Sequence, residues 1–521
     1  MPSENLPADP LTRRGLAYAR RGEFTKAIET LTGAIDLAPA SADLYFHRGN
    51  AFVAMGRHAD AIADYSEAVN HKSDFVAAYH NRATAHADLG HHAEAEADYS
   101  KAHELSPSDP DPLNGRATIR SQRRQFDEAL ADYGTAIALD PDSHRLYFNR
   151  GNCHSASGRH EYAVDDYTVA IRLSPLQARS YLYRAMSYDS LGKSDEAIAD
   201  LATALRLKPD LAEAYWHRGR IRTARGEYAL AVADLSRGIA HEPDNAAAYN
   251  LRGVTQAEQG HHAEAVKDFT KASELDPTDL GAAFNRGLSR MRTREWADAL
   301  QDFTRAIELA PLDPAGFLHR GYCHLELLDT HEAIADFSEA IRLAPERPRA
   351  YLARATAYRR DEKYDEAYAD ADHAVTLAPD SEVALNLRAS MAYAQGRYAE
   401  ALQDHLAAAA IDPDDAATQN FIAWLQATGP KELRNGEAAV WHATRACEAT
   451  KHEVVEFVDT LAAACAEAGQ FENAIKWQKR VIERVPPDDR EEARRRLALY
   501  ESYTSYREPE KHEDIDPERP F

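Results

Sequence analysis

ADLYFHRGNAFVAMGRHADAIADYSEAVNHKSDF (residues 42–75) and HRLYFNRGNCHSASGRHEYAVDDYTVAIRLSPLQ (144–177) superpose without a gap, and the register they share decides the fold. Extended in both directions it gives a period of 34 residues, repeated twelve times from Ala8 to Asp415 with no insertion or deletion. Position 8 of each copy is Gly or Ala: Gly15, Gly49, Ala83, Ala117, Gly151, Ala185, Gly219, Gly253, Gly287, Gly321, Ala355 and Ala389. Position 20 is always Ala, position 27 is Ala except at Gly238, and position 32 is Pro except at Ser73.

Positions 4, 8 and 11 share one face of a first helix, and positions 20, 24 and 27 share one face of a second. Small residues at 8, 20 and 27 let backbones approach, while Tyr45, Tyr65, Tyr147 and Phe269 at positions 4 and 24 fill the space between. Gly at position 15 (Gly56, Gly90, Gly192) marks a left-handed helix end, and the Pro at 32 stops the second helix. A lone helical hairpin cannot bury both its faces, so the copies must stack.

This 34-residue helix–turn–helix, with small residues at 8, 20 and 27 and Pro at 32, resembles the tetratricopeptide repeat. The resemblance implies an all-α, right-handed superhelical solenoid of stacked antiparallel helix pairs, about fourteen repeats long. It also implies a concave wall, formed by the first helices, that holds extended peptides.

The expected organisation is a flexible N-terminus over 1–7 and twelve contiguous repeats over 8–415. A divergent repeat with a longer loop follows over 416–454, then a regular repeat over 455–488 carrying Ala462, Gly469, Phe471, Ala474 and Pro486 in register. Residues 489–507 are expected as a capping helix, because an open solenoid end needs a polar cover, and 508–521 as a disordered acidic tail. AWLxAT, LRNGEAAV, ACEAT and DTLAAACAEAG near the C-terminus resemble a segment of bacterial tetratricopeptide proteins, some of them attached to Ser/Thr kinases. No Gly-rich loop, HRD or DFG is present in this sequence.

Where that family often has Leu at position 7, this chain has Arg in all twelve copies, and position 23 is Asp in all but the first, where Thr30 stands. Opposite charges recurring at two inward positions should pair, since an unpaired buried charge is too costly. The pattern predicts a structural Arg–Asp ladder that includes Arg48 with Asp64, Arg82 with Asp98, Arg184 with Asp200, and Arg354 with Asp370.

Lys and Arg number 61 against 85 Asp and Glu, a net charge of −24, which disfavours nucleic acid and anionic membranes as partners. Cys153, Cys323, Cys447 and Cys465 form no CxxC pair, and MPSENLPADPLTRRG has no apolar core of signal-peptide length. No apolar run is long enough to span a bilayer. These features predict a soluble, cytoplasmic protein with no membrane insertion.

Two HisHis pairs, His91-His92 and His261-His262, fall in the turn between helices, where His58, His92, His160 and His262 replace the aromatic found elsewhere at position 17 (Phe24, Phe126, Tyr228, Trp296). Adjacent residues on a helix end point apart and do not supply the i, i+4 ligand pair, so no metal is expected. The same argument separates Cys153 from His154 and Cys323 from His324, and no base or oxyanion site presents itself. No catalytic residue, enzyme activity or cofactor is expected.

Function then falls to positions 2, 5, 6, 9, 12 and 13, opposite the packed face of each first helix. The candidate partner-binding wall is Phe46, His47, Asn50, His80, Asn81, Asn114, Phe148, Asn149, Asn152, Tyr183, Met186, Trp216, His217, Arg220, Asn250, Phe284, Asn285, His319 and Tyr322. Asparagine both donates to and accepts from a peptide backbone, and exposed aromatics such as Trp216 and Phe148 are expected to serve as anchors. A clamp for acidic chaperone tails of the kind known in this family is not expected, because Asp111 and Gly115 stand where cations should follow Asn50 and Asn81. The expected function is a scaffold that binds extended segments of other proteins. The alternative is an adaptor or targeting subunit for a separately encoded enzyme, such as a kinase or glycosyltransferase.

Overall fold

Each copy of the period folds as one helical hairpin. In the copy beginning at Ala42, helix Ala42–Ala54 occupies positions 1–13 and helix His58–His71 positions 17–30. The short turn between them makes the two helices antiparallel. At position 15 the backbone crosses into the left-handed region, at φ +70° for Gly56. Four copies hold that conformation without glycine, at Arg124, Arg294, Leu328 and Glu362. A side chain there is strained by about 1 kcal/mol or more.

The structure, a computed structural model, describes residues 9–508. The calls on 1–7 and on 509–521 lie outside the described residues. The described residues hold 29 α-helices, two short 3-10 turns and no strand. Along the described residues the first 28 helices alternate in the order first helix, second helix of each copy, and Arg490–Glu501 follows them. The chain divides into two compact units, Met1–Thr255 and Gln256–Phe521.

In the first unit, position 8 is small because the aromatic or leucine at position 24 lies directly on it. A Cβ on Gly49 would stand 2.6 Å from the Tyr65 ring, and one on Gly151 2.8 Å from the Tyr167 ring. Tyr65 and Tyr167 are essentially inaccessible, as are the alanines at positions 20 and 27. The exception at position 27 has the same kind of cause. A Cβ on Gly238 would lie 2.5 Å from Nε1 of Trp216, so the indole occupies the volume that an alanine methyl fills in the other copies.

The second unit repeats this packing at Gly287 against Phe303 and Gly321 against Phe337. Its divergent pair consists of helices Ala416–Thr428 and Gly436–Ala449, joined through a 3-10 turn at Lys431–Leu433. The next pair, Val455–Glu467 and Phe471–Arg484, packs with it around Ala443, Cys447, Ala462 and Cys465.

The C-terminal end departs from the expected cap. The last helix is Arg490–Glu501, and residues 502–508 are not helical. They return along the unit instead. Ser505 Oγ donates to the carbonyl of Ala466, and Glu508 accepts hydrogen bonds from Tyr393 Oη at 2.7 Å and Trp424 Nε1 at 2.9 Å. Glu508, expected as the first residue of a disordered tail, is thus held by a buried tyrosine and a half-buried tryptophan.

Candidate functional site

The wall rests on the Arg and Asp side chains beneath it. Arg48 donates from Nε and Nη2 to the two oxygens of Asp64 at 2.8 and 2.7 Å. The same forked pair joins Arg82 to Asp98, Arg184 to Asp200 and Arg354 to Asp370, with every distance between 2.7 and 2.8 Å. Arg116–Asp132, Arg150–Asp166, Arg218–Asp234, Arg320–Asp336 and Arg388–Asp404 repeat it. The carboxylates are buried, and the hydrogen bonds to them raise the Arg48, Arg82 and Arg354 guanidinium groups above their already high ordinary range.

Two further layers of this network are invisible in the pairwise reading. First, Nη1 of the Arg reaches position 25 of the preceding copy. Arg48 donates to Thr32 Oγ1 at 2.9 Å, Arg82 to Ser66 Oγ at 3.1 Å and Arg354 to Ser338 Oγ at 2.9 Å. One guanidinium therefore joins both helices of its own copy to the copy before. Second, some Asp residues hold a second cation from position 11, as Arg120 on Asp132 and Arg222 on Asp234 show. The sequence signal for both layers was a hydroxyl at 25 and a base at 11.

The proposed wall residues are half-buried except Arg220, which is exposed, and this corrects the reading of Trp216 and Phe148 as exposed anchors. In the first unit Phe46 packs on Tyr65 and Phe75, with ring centroids 5.9 and 4.9 Å away. Phe148 lies 5.7 Å from Tyr167 and 5.4 Å from Tyr183, and His80 lies 5.3 Å from Tyr99. Trp216 is seated over Gly238 with its Nε1 buried and unpartnered, so it is a packing residue rather than an anchor. His217, next to it in sequence, and Asn250, at the same position as Trp216 in the following copy, are half-buried. In the second unit Phe284 packs 5.4 Å from both Phe303 and His319, and Tyr322 lies 5.4 Å from Phe337, while Asn285 is half-buried. The aromatics stand on position 24 because positions 5 and 9 sit one helical turn apart above it.

The amides of the first unit are tied to one another. Asn50 Oδ1 accepts from Tyr65 Oη at 2.7 Å and from Asn81 Nδ2 at 2.9 Å. Asn114 Oδ1 accepts from Asn149 Nδ2 at 2.9 Å, and Asn152 Oδ1 accepts from Tyr167 Oη at 2.7 Å. These bonds fix which end of each amide is free. Asn50, Asn114 and Asn152 retain Nδ2 donors, and Asn81 and Asn149 retain Oδ1 acceptors. Burial holds His47, His80 and His217 below the ordinary imidazole range, which leaves this face without protonated histidine at neutral pH.

All four cysteines are buried thiols. Burial pushes Cys323 and Cys447 up to about 12 and Cys465 to about 11, the wrong direction for a nucleophile. His92, His160 and His262 open second helices with Nδ1 buried and unpartnered. Among the described residues no group of three or more His, Cys, Asp or Glu is arranged to hold a metal ion. No helix among them is long and apolar enough to cross a membrane.

The sequence model of the family described as "Tetratricopeptide repeat" matches residues 12–75, 46–110, 114–178, 182–237, 284–348, 324–382 and 352–416, more than half of the chain. The chain belongs to the tetratricopeptide repeat family. Two further models, "TPR repeat" and "Tetratricopeptide repeat", match this tetratricopeptide repeat protein at 219–260 and 246–279. No curated protein matches it.

Among solved structures, it is similar to a tetratricopeptide repeat protein from Parabacteroides merdae (21% identity, TM-score 0.40, 48% of this chain and 98% of the other). It is also similar to the APC/C hetero-tetramer Cut9–Hcn1 (15%, 0.40, 88% and 96%). A third is YrrB, described as a TPR protein with an unusual peptide-binding site (23%, 0.31, 35% and 95%). Family membership makes the chain, in general terms, a protein-interaction scaffold.

Proposed function

We propose that the chain binds an extended segment of a partner protein along the first-helix wall of its first unit. The observation that carries this reading is the fixed order of free amide groups: donor at Asn50, acceptor at Asn81, donor at Asn114, acceptor at Asn149, donor at Asn152. A peptide backbone presents alternating carbonyl and N–H groups, so a row of oriented donors and acceptors recognises it whatever its side chains. The amides are already immobilised by their mutual bonds, so little rotamer entropy is lost when a ligand docks. Phe46, Phe148 and Tyr183 form a rigid apolar floor rather than a set of hooks, and the partner's own side chains settle on it.

Each amide–backbone hydrogen bond contributes about 1 kcal/mol net. Peptides selected from a random library on the full chain are expected to weaken about thirtyfold against an Asn50→Leu, Asn114→Leu double variant, read by calorimetry. N-methylation of alternate peptide nitrogens should weaken binding to a similar degree. Selected peptides that bind the wild type and the double variant equally would place the interaction elsewhere on the chain.

A further inference from the structure

In the second unit a short stretch of the chain lies across the wall itself. Residues 505–508 are not helical and follow the last helix, Arg490–Glu501, after a turn. Their partners on the first helices stand at wall positions 9, 12 and 13. Tyr393 is at position 12 of helix Glu382–Ala394, and Trp424 and Thr428 are at 9 and 13 of Ala416–Thr428. Ala466 and Glu467 are at 12 and 13 of Val455–Glu467. One irregular segment thus crosses three successive first helices.

Each residue of the segment has its own counterpart. Ser505 Oγ donates to the Ala466 carbonyl at 3.1 Å. The Tyr506 ring centroid lies 5.0 Å from the Arg496 guanidinium and 6.0 Å from the Trp424 ring. Arg507 Nη1 pairs with Glu467 Oε2 at 2.8 Å, on a carboxylate that Arg434 Nε approaches to 3.9 Å. Glu508 takes the donors Tyr393 Oη and Trp424 Nε1, and its own backbone N–H donates to the Thr428 carbonyl at 3.3 Å. The surface therefore reads an aromatic, a basic and an acidic residue in that order.

The segment rests on this surface and is not part of the interior, since Ser505, Tyr506 and Glu508 are half-buried and Arg507 is exposed. Position 13 is half-buried or exposed in each of the twelve regular copies, whereas Thr428 is 1% exposed, so the rim of the wall is covered here and open elsewhere. None of these contacts depends on the covalent link to helix Arg490–Glu501. A glutamate from another chain meets the same two donors, and an arginine before it the same carboxylate. A tethered ligand competes at an effective concentration on the order of 1 mM, which keeps a free segment of equal affinity out.

We propose that residues 505–508 are an internal ligand of a peptide site on the wall of the second unit. When they leave it, the site takes a partner segment that carries an aromatic, a basic and an acidic residue in succession. The site is made of its own residues and does not rest on peptide binding by the first unit.

The test uses the full chain. Tyr506→Ala with Glu508→Ala vacates the wall, and the probe is the capped peptide Ac-Tyr-Thr-Ser-Tyr-Arg-Glu-NH2, the sequence of residues 503–508. By calorimetry the vacated chain should bind one peptide, and the wild type should bind it at least tenfold more weakly. The same peptide with Gln in place of its Glu should lose tenfold or more. Trp424→Phe keeps a ring beside Tyr506 but removes Nε1, and in the vacated chain it should also cost about tenfold, whereas Asn50→Leu with Asn114→Leu should cost nothing. Circular dichroism and melting establish that the variants are folded, and Glu508→Lys alone replaces the double variant if that one is not. No saturable binding by a folded vacated chain, equal binding by the wild type, or equal binding of the Gln peptide overturns the proposal. So does binding that is lost through Asn50→Leu and Asn114→Leu but not through Trp424→Phe. A wild-type dimer that the vacated chain does not form gives the segment to a second copy and overturns it as well.

Discussion

Arg184 and Arg218 occupy the same position in successive repeats, yet replacing each by Met should have unequal effects. Asp200 is 7% exposed and, among the described residues, its one cation is Arg184, which reaches it through bonds of 2.7 and 2.8 Å. Asp234 is 2% exposed but retains Arg222, whose Nη1 lies 2.6 Å from Oδ2, after Arg218 is lost. Removing one partner of a buried pair costs about 3 to 5 kcal/mol. The Arg184 side chain keeps 16% of its surface in solvent, which moves the expectation for Arg184→Met to the lower end, about 3 kcal/mol.

Arg218→Met leaves a paired carboxylate and should cost about 1 to 2 kcal/mol, the worth of the charge-assisted bonds it made. Long repeat arrays unfold in segments, so the measurement is native-state hydrogen exchange of helices Ser194–Leu207 and Tyr228–His241, supported by urea titration. Adding Asp200→Leu to Arg184→Met removes the stranded charge and should recover most of the loss. Equal losses for the two single variants, or no recovery in the double variant, would refute the reasoning that burial and a second cation set the energetics of the ladder.

Gly238→Ala should destabilise the chain by about 1 to 3 kcal/mol through its clash with the Trp216 indole. In a Trp216→Leu background the same change should become neutral or stabilising by up to about 1 kcal/mol, because Ala is the better helix residue, and thermal melts of the four species would show the reversal. Burial lowers His405 to about 4, so in the window between its ordinary value near 6.5 and 4 the unfolded chain takes up a proton that the folded chain refuses. Its contribution is complete above about pH 6.5 and is lost as pH falls through 4, reaching about 3 kcal/mol. A His405→Leu variant should show a shallower loss of stability over that window in urea titrations.

The fold was legible because its packing is repetitive. Gly49, Gly151 and Gly321 are small because one ring lies on each, and a period of 34 displays that constraint many times over. The charged pairs were legible for the same reason. Less legible were features that occur once or alternate. The Gly238 exception and Trp216 are 22 residues apart in one copy, and only their contact shows that each explains the other. The exposure of the wall was overestimated, since helical rotation gives a direction but not the height of neighbouring side chains, and position 24 rises to meet positions 5 and 9. The docking of residues 505–508 on Tyr393 and Trp424 occurs once, so no periodic signal points to it.

The stitch from Arg to the hydroxyl at position 25 of the copy before is missing at two joints of the first unit. Gly134 precedes Arg150 and Ala202 precedes Arg218 at that position, and neither offers an oxygen. The two joints are helix Phe126–Leu139 against His144–Ala156, and Ser194–Leu207 against Ala212–Ala224. Besides their apolar packing and the Asn149–Asn114 hydrogen bond, these joints carry surface ion pairs, Arg145 with Asp111 and Arg159 with Asp127 at one, Arg220 with Asp189 and Arg225 with Asp195 at the other. Such pairs are screened by salt, whereas the interior stitches are not. Salt should therefore loosen these two joints more than the stitched ones, so the unit carries its ionic-strength sensitivity at two places along its length.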